Sequence, residues 1–196
     1  MNENKVRYGL RNVHVAVLES DDPATLAYGA SRRLPGAVEL TLEPRGDALE
    51  FEADDGMYHT SHNNQGYDGT LNIALLPDWF LTEILGEVKL ASGEIRELAD
   101  SQTKNFAIAF EYQGDKNATR HWLYKCSASR VPLTSTTGKS EVNTTELSFV
   151  ATPIELADGS RPVKGKFPKE FEGYDTVFDA VPLTVVASPE VPPEEA

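Results

Sequence analysis

The sequence predicts a mainly β protein in which two packed antiparallel sheets form a sandwich or barrel, flanked by one α-helix at about residues 77–85. Three observations predict this class. Apolar and polar residues alternate with a period of two through most of the chain, as Val13, Val15 and Val17 do with their neighbours. Turn-forming residues separate the alternating runs, and only one region has clear helical spacing. Strand runs with a single inserted helix are typical of sheets packed over one core.

Each alternating run has one apolar and one more polar face, as antiparallel sheets over a core require. In chain order the runs are residues 13–17, 38–43, 49–53, 70–75, 106–112, 121–126 and 147–151. Residues 44–47, with the sequence Pro-Arg-Gly-Asp, predict a short hairpin loop that pairs the second run with the third. Residues 91–94 and 113–117 predict two further turns between strands.

One helix is predicted between Pro77, which suits a first helical residue, and Gly86, which lies just past the end. Its apolar side chains share one face at helical spacing, and they are Phe80, Leu81, Ile84 and Leu85. A second short helix is predicted at residues 174–180, before a proline. Two polar stretches, residues 57–69 and 130–145, are predicted to be loops.

The chain is predicted to form one β domain, residues 1–186, followed by a flexible, acidic and Pro-rich tail, residues 187–196. Its 196 residues suit one ordinary domain. The single cysteine, Cys126, excludes an intramolecular disulfide and a multi-cysteine metal cluster. No apolar run is long enough for a membrane helix, and the first residues lack a secretory pattern, so synthesis in a cytosol is expected.

The charge of the chain is strongly negative, with 31 acidic and 18 basic residues and a formal net charge of -13. This argues against tight binding to a nucleic-acid backbone and against docking on an anionic membrane. The excess is concentrated at residues 39–55, which hold seven acids and one base. By parity, the predicted hairpin carries four carboxylates on its outward face: Glu39, Glu43, Glu50 and Glu52. Like charges opposite each other destabilise a sheet, so this face is either a plain solvated surface or one whose role requires negative charge.

Sequence motifs for catalysis are absent: there is no Gly-rich phosphate loop, no GxSxG elbow and no HExxH. The sequence therefore predicts no catalytic residue, no metal ligand and no cofactor. Cys126 lies five residues after His121 in one predicted strand, so the two side chains are expected on opposite faces, and a buried cysteine is favoured over a nucleophile. His59 and His62 lack a third well-placed metal ligand and are predicted to be ordinary loop residues.

Several sequence blocks are similar, in order and spacing, to one known family. The longest are YDGTLNIALLPDWF at residues 67–80 and FAIAFEYQGDKNATRHWLYKCSASRVP at residues 106–132. The opening RYGLRNV at residues 7–13 and the closing segment at residues 174–181 fit the same order. Over about residues 7–153 the chain thus resembles the major tail proteins of tailed bacteriophages, the group often called phi13-like.

This resemblance implies a tail tube subunit with a β sandwich or barrel fold. It implies that six subunits close into a ring, and that rings stack into a tube through which DNA leaves the capsid. The face formed by Glu39, Glu43, Glu50 and Glu52 would line the bore, where negative walls repel phosphates. The implied partners are further copies of the chain and other tail proteins, such as the tape measure and the tail terminator. DNA would pass without specific binding, no membrane would be involved, and the protein would reside in the virion tail after synthesis in the host cytoplasm.

Under this interpretation the two predicted loops make most contacts between subunits. The candidate residues are Tyr58, His59, His62, Asn63 and Asn64 in the first loop and Thr134, Lys139 and Glu141 in the second. Two alternatives stay open: a tube protein of a contractile injection or secretion apparatus, and a β-barrel that binds a small ligand. The ligand-binding alternative requires convergent polar groups in an apolar pocket, and the sequence contains no such set.

Overall fold

The computed structural model describes residues 8–46, 48–53, 56–133 and 143–183, with the backbone alone at residues 48–53 and 56–62. The strands are β1 (Leu10–Ser20), β2 (Ala27–Tyr28), β3 (Arg32–Arg33), β4 (Ala37–Arg45), β5 (Ala48–Ala53), β6 (Gly56–His62), β7 (Gly66–Ile73), β8 (Val88–Lys89), β9 (Ile95–Arg96), β10 (Phe106–Tyr112), β11 (Arg120–Ala128), β12 (Thr145–Thr152) and β13 (Lys164–Phe167), and the α-helix is α1 (Asp78–Glu83). The predicted tail, residues 187–196, lies outside this description.

Nine strands form one antiparallel sheet in the order β2-β1-β10-β11-β12-β7-β4, with β3 also paired to β1 and β13 to β11. The sheet is curled, since strands near both ends of this order bury side chains in one apolar cluster, called here the inner cluster. Val15 of β1 packs in this inner cluster with Ile73 of β7 and with the partly buried Leu40 of β4. The predicted class is confirmed: the protein is mainly β, with antiparallel sheet and a flanking helix.

The helix α1 packs on the inner cluster and contributes its largest side chain to it. Phe80 is fully buried, and its ring lies edge-on to that of Phe106, with 5.8 Å between the centroids. Full burial of such a side chain stabilises the fold by about 1.5–3 kcal/mol. Pro77 precedes the helix as its N-cap and is not its first helical residue. In the part of the chain that is described, no helix is long and apolar enough to span a membrane.

A second apolar cluster lies on the opposite side of β1, β10 and β11. The segment at residues 153–181, called here the covering segment, packs over this side and supplies Ile154, Leu156, Phe167, Val177 and Phe178. Trp122 of β11 is fully buried here, and its indole N–H donates to the carbonyl of Val177 at 2.8 Å. The helix predicted at residues 174–180 is only a 3-10 turn, Tyr174–Thr176, in this segment.

An extra residue in β11 changes which of its side chains face the inner cluster. The register against β10 shifts between Leu123 and Cys126, so both side chains lie in the inner cluster. His121 stacks on Phe110 of the same cluster, with 5.1 Å between the ring centroids. The expectation that His121 and Cys126 face opposite ways is therefore wrong, because strict alternation fails across a bulge.

The predicted hairpin between residues 38–43 and 49–53 is also wrong. β4 continues through Pro44 to Arg45 and pairs with β7, whereas β5 pairs with β6 in a separate two-stranded sheet. Residues 57–69, predicted to be a loop, contain most of β6 and the start of β7. Alternation identifies strands but not their partners, and Pro44 is compatible with β4 because β4 is an edge strand.

The antiparallel order gives the curled sheet two distinct ends. At one end, called here the hairpin end, β1 begins, β10 ends, and the β5–β6 hairpin connects β4 to β7. At the other, called here the helix end, β7 leads into α1, and the small β8–β9 hairpin precedes β10. The turns predicted at residues 91–94 and 113–117 are confirmed, joining β8 to β9 and β10 to β11.

Candidate functional site

Polar side chains cover the outer side of β4, β7 and β12. In register, three rows of residues cross this surface: Glu39–Asn72–Glu146, Thr41–Thr70–Ser148 and Glu43–Asp68–Val150. The covering segment packs over β1, β10 and β11 instead. The outer side of the sheet is therefore apolar and covered in one half, and polar and exposed in the other.

Four exposed carboxylates lie on this surface, called here the acidic face: Glu39, Glu43, Asp68 and Glu146. Glu43 is directly opposite Asp68 on the neighbouring strand. Among the described side chains, Arg45 pairs with this face, and its Nη1 lies 3.7 Å from Oδ1 of Asp68. The amide of Asn72 donates to Oε2 of Glu39 at 3.4 Å. One half-exposed guanidinium does not neutralise four carboxylates, so the face keeps a negative potential.

The acidic face includes two of the four predicted lumen residues. Glu39 and Glu43 lie on it, whereas Glu50 and Glu52 are on β5, opposite Thr60 and Met57 of the separate hairpin. The four glutamates therefore do not share one hairpin face, because β4 and β5 are not partners.

Sequence reasoning missed Asp68 and Glu146, the other two carboxylates of the acidic face. A signal was present, since polar residues at 68, 70 and 72 alternate with the buried residues of β7. The same alternation holds for Glu146 and Ser148 in β12. Alternation alone does not show which strands pair, so it could not place β7 and β12 on the same surface as β4.

The outer edge of β4 pairs with no described strand, although part of β4 lies near β1. β7 pairs along one edge of β4, and no described strand pairs with the other. The edge strand of a sheet presents unpaired N–H and C=O groups, which can pair with a second chain. This edge borders the acidic face directly.

The β5–β6 hairpin carries the predicted contact residues of the first loop. Tyr58, His59 and His62 are on β6, and Asn63 and Asn64 connect it to β7. Oδ1 of Asn64 accepts the backbone N–H of Gly66 at 3.1 Å, which fixes this connection. An isolated two-stranded sheet is only marginally stable in water, so the hairpin has more to gain from a partner than the main sheet does. The candidates of the second loop, Thr134, Lys139 and Glu141, lie outside the described residues.

The interior of the curled sheet is filled by apolar side chains. Phe106, Ile108, Leu123 and Leu147 are each fully buried there. Cys126 is also fully buried, as predicted, and this burial raises the pKa of its thiol. A buried neutral thiol is a poor nucleophile, so the cysteine functions as a core residue.

The buried carboxylate of Glu111 is held by charged and polar neighbours. Its Oε1 lies 2.7 Å from Nε of Arg11 and accepts the amide N–H of Asn12 at 2.6 Å. Its Oε2 lies 3.7 Å from Nε of Arg120 on the next strand. A carboxylate with these partners joins β1, β10 and β11 at the hairpin end, which is a structural role.

Comparison with known proteins gives distant structural similarities alone. No protein-family model matches the chain, and no curated protein matches it. Among solved structures, the chain is similar to the anti-feeding prophage cap, the AFP tube terminating cap, at 10% identity, covering 85% of this chain and 96% of that one with a TM-score of 0.45. It is also similar to a chain of the PVC sheath-tube complex, an extracellular contractile injection system in the extended state, at 10% identity, 84% and 93% coverage and a TM-score of 0.43. Similarity at this level does not by itself transfer a function.

Proposed function

We propose that this chain is a tail tube subunit that assembles into six-membered rings, and that the rings stack into a conduit for DNA. The observation that carries the proposal is the acidic face together with the outer edge of β4 beside it. The resemblance of the sequence to bacteriophage major tail proteins supports the same assignment.

The outer edge of β4 provides the joint between neighbouring subunits in a ring. A strand edge that meets a different surface of the next copy makes a heterologous contact, and such contacts close into rings when the rotation allows. Backbone hydrogen bonds across this joint would extend the sheet from one subunit to the next. The β5–β6 hairpin adds a second contact, because its strands pair with each other alone in the described structure.

The acidic face lines the bore in this assembly. Glu39, Glu43, Asp68 and Glu146 would form a negative wall that is repeated around the ring and along the tube. Phosphates are repelled by such a wall, so DNA makes few lasting contacts and moves freely. Glu50 and Glu52 would contribute at the mouth of each ring if the hairpin turns inward.

The proposal places the protein in the virion tail, after synthesis in the cytoplasm of the host. Its partners are further copies of itself and other tail proteins, with a tape measure protein inside the tube and a terminator at its end. It assigns no enzymatic activity, no cofactor and no membrane contact to the chain. Residues 1–186 act as the tube domain, with residues 187–196 as its tail.

Electron microscopy of the purified, concentrated protein tests this proposal. The expected result is hexameric rings or hollow tubes, with the acidic face turned toward the bore in a reconstruction. A chain that stays monomeric at every concentration would contradict the tube assignment. Tubes with the acidic face on the outside would keep the assembly but reject the role given to the four carboxylates.

A further inference from the structure

An apolar groove lies at the helix end, and no described residue covers it. It has a volume of about 350 Å³, and its lining includes Leu75, Leu81, Leu85 and Leu133. Leu75 is 75% exposed and Leu133 is 100% exposed. Clustered exposed leucines next to a groove are typical of an interaction site, because water is a poor environment for them.

The rim of this groove is acidic. Glu97 is paired with Arg130, with 3.0 Å between Oε1 and Nε, whereas Glu87 has no ion-pair partner among the described side chains. Partial burial, together with the nearby charge of Glu97, raises the pKa of Glu87. An arriving cation would therefore be favoured at Glu87.

Residues 5–7 of this chain have the chemistry that the groove requires. They read Lys-Val-Arg, an apolar side chain between two cations, in a chain with many more acids than bases. They lead directly into Tyr8, whose carbonyl accepts the N–H of Gly114 in the turn after β10 at 2.9 Å. Tyr8 is thereby held at the hairpin end, and residues 5–7 directly precede it in the sequence.

The groove of the same subunit is out of reach for this segment. β10 has seven residues, and it alone separates the two ends of the sheet by about 23 Å. Lys5 is three residues from Tyr8, a span of about 10 Å at full extension. The segment can reach the groove of a second copy that is stacked with its helix end against this hairpin end.

We propose that residues 5–7 of one subunit occupy the leucine-lined groove of a second copy in the next ring, with Val6 against the leucines and a cation beside Glu87. The inference rests on the proposed tube function and names the contact between rings. The groove and residues 5–7 are different surfaces at opposite ends of the subunit. Each subunit can therefore contact one ring through its groove and another through residues 5–7, so rings can be added to the stack without limit.

Disulfide trapping tests this contact. In tubes of the double variant Val6→Cys and Leu133→Cys, mild oxidation should give a ladder of cross-linked multimers on a non-reducing gel. The buried Cys126 does not interfere, and Val6→Cys with Thr41→Cys, on the acidic face, is the matched control that should give no ladder. Intact tubes without a ladder would overturn the inference and leave the groove to another occupant, such as a different tail protein. A disulfide between the two introduced cysteines within one monomer, in place of a ladder, would overturn it as well, because the segment would then reach the groove of its own subunit.

A charge exchange provides the second test. Lys5→Glu with Arg7→Glu should raise the protein concentration needed for tubes at least tenfold while single rings persist, and Glu87→Lys in that background should recover part of the loss. Lys166→Glu with Lys169→Glu, two exposed positions of the covering segment, is the control with the same change in net charge. Unchanged tube formation by the first variant would reject the contact but not the tube function. Wild-type protein that forms neither rings nor tubes would reject the tube function, and with it this inference.

Discussion

Glu43 and Asp68 lie directly opposite each other on adjacent antiparallel strands, and both are exposed on the acidic face. Like charges at directly opposed positions disfavour a sheet by a few tenths to about 1 kcal/mol. The single subunit gains no stability from this pair. In the proposed tube, the same two carboxylates would help the wall of the bore to repel phosphates.

Asp68→Asn should therefore raise the free energy of unfolding of the subunit by about 0.2–1 kcal/mol, because it removes the repulsion from Glu43. The lost contact with Arg45 is long and exposed, so it contributes little. Urea unfolding measures the difference, with Glu170→Gln on the covering segment as a control for charge alone. A clear loss of stability would show that Asp68 is held by a favourable interaction.

Reversing the charge of the acidic face should make assembled tubes retain DNA. Replacing Glu39, Glu43, Asp68 and Glu146 with Lys is expected to raise the affinity for duplex DNA by at least about tenfold, with a steep decrease as salt is added. Co-sedimentation of tubes with labelled DNA measures this. The matched control replaces four exposed acids of the covering segment: Glu155, Glu170, Glu172 and Asp179. Equal retention by both variants would mean that the acidic face does not line the bore.

Removing the β5–β6 hairpin should separate folding from assembly. Arg45 and Gly66 are paired, and the N–H of Gln65 donates to the carbonyl of Arg45 at 2.9 Å, so an Asn-Gly turn can replace residues 46–65. The shortened chain should fold with a normal unfolding transition and fail to form tubes in electron micrographs. Normal tubes would assign the subunit contacts to other surfaces.

Gly69→Ala should destabilise the inner cluster by about 1–3 kcal/mol. Gly69 is directly opposite Phe149, and a Cβ at this position would lie 2.3 Å from Cζ of the ring. Phe149 is buried and meets Phe106 edge-on, so its ring has little freedom to move. A double-mutant cycle with Phe149→Leu checks this cause, because the smaller side chain should recover at least about 0.5 kcal/mol. Additive losses would point to a different origin.

Stability should decrease at alkaline pH because of Cys126. Its pKa is raised by burial, so the folded thiol keeps its proton, whereas the unfolded one loses it above about pH 8.5. The stabilisation is complete below that pH and is lost as pH rises, by about 1.4 kcal/mol at pH 9.5. Burial also raises the pKa of Tyr28 and of Tyr124, but their unfolded groups titrate near pH 10, so they contribute little at 9.5. In Cys126→Ala, the free energy of unfolding should therefore fall less between pH 7 and pH 9.5 than in the unmodified protein. Urea unfolding at both pH values measures this difference.

Local patterns in the sequence predicted most of the long strands and α1, because side-chain alternation and helical spacing are set within a few residues. The exception is β6, which lies in a stretch predicted to be a loop. Local patterns did not predict which strands pair. β4 and β5 have the same alternation, but β4 pairs with the distant β7, where Leu40 and Leu42 are partly buried against the inner cluster. For this reason the acidic face was predicted with Glu39 and Glu43 in place, but without Asp68 and Glu146. Leu123 broke the alternation of its run because β11 is buried on both sides, with Leu123 in the inner cluster and Trp122 and Tyr124 in the other.

Strand β10 sends alternate side chains into both apolar clusters, with Phe106, Ile108 and Phe110 on one side and Ala107 and Ala109 on the other. Release of the covering segment would expose the outer side chains of β10 and β11, including the fully buried Trp122, so these strands couple the two clusters. The subunit should therefore unfold in one cooperative step, with no half-folded form in which the covering segment alone is released. A subunit with this property presents the surfaces carried by the curled sheet either together or not at all. Growing tubes would thus incorporate only complete subunits, without a separate proofreading factor.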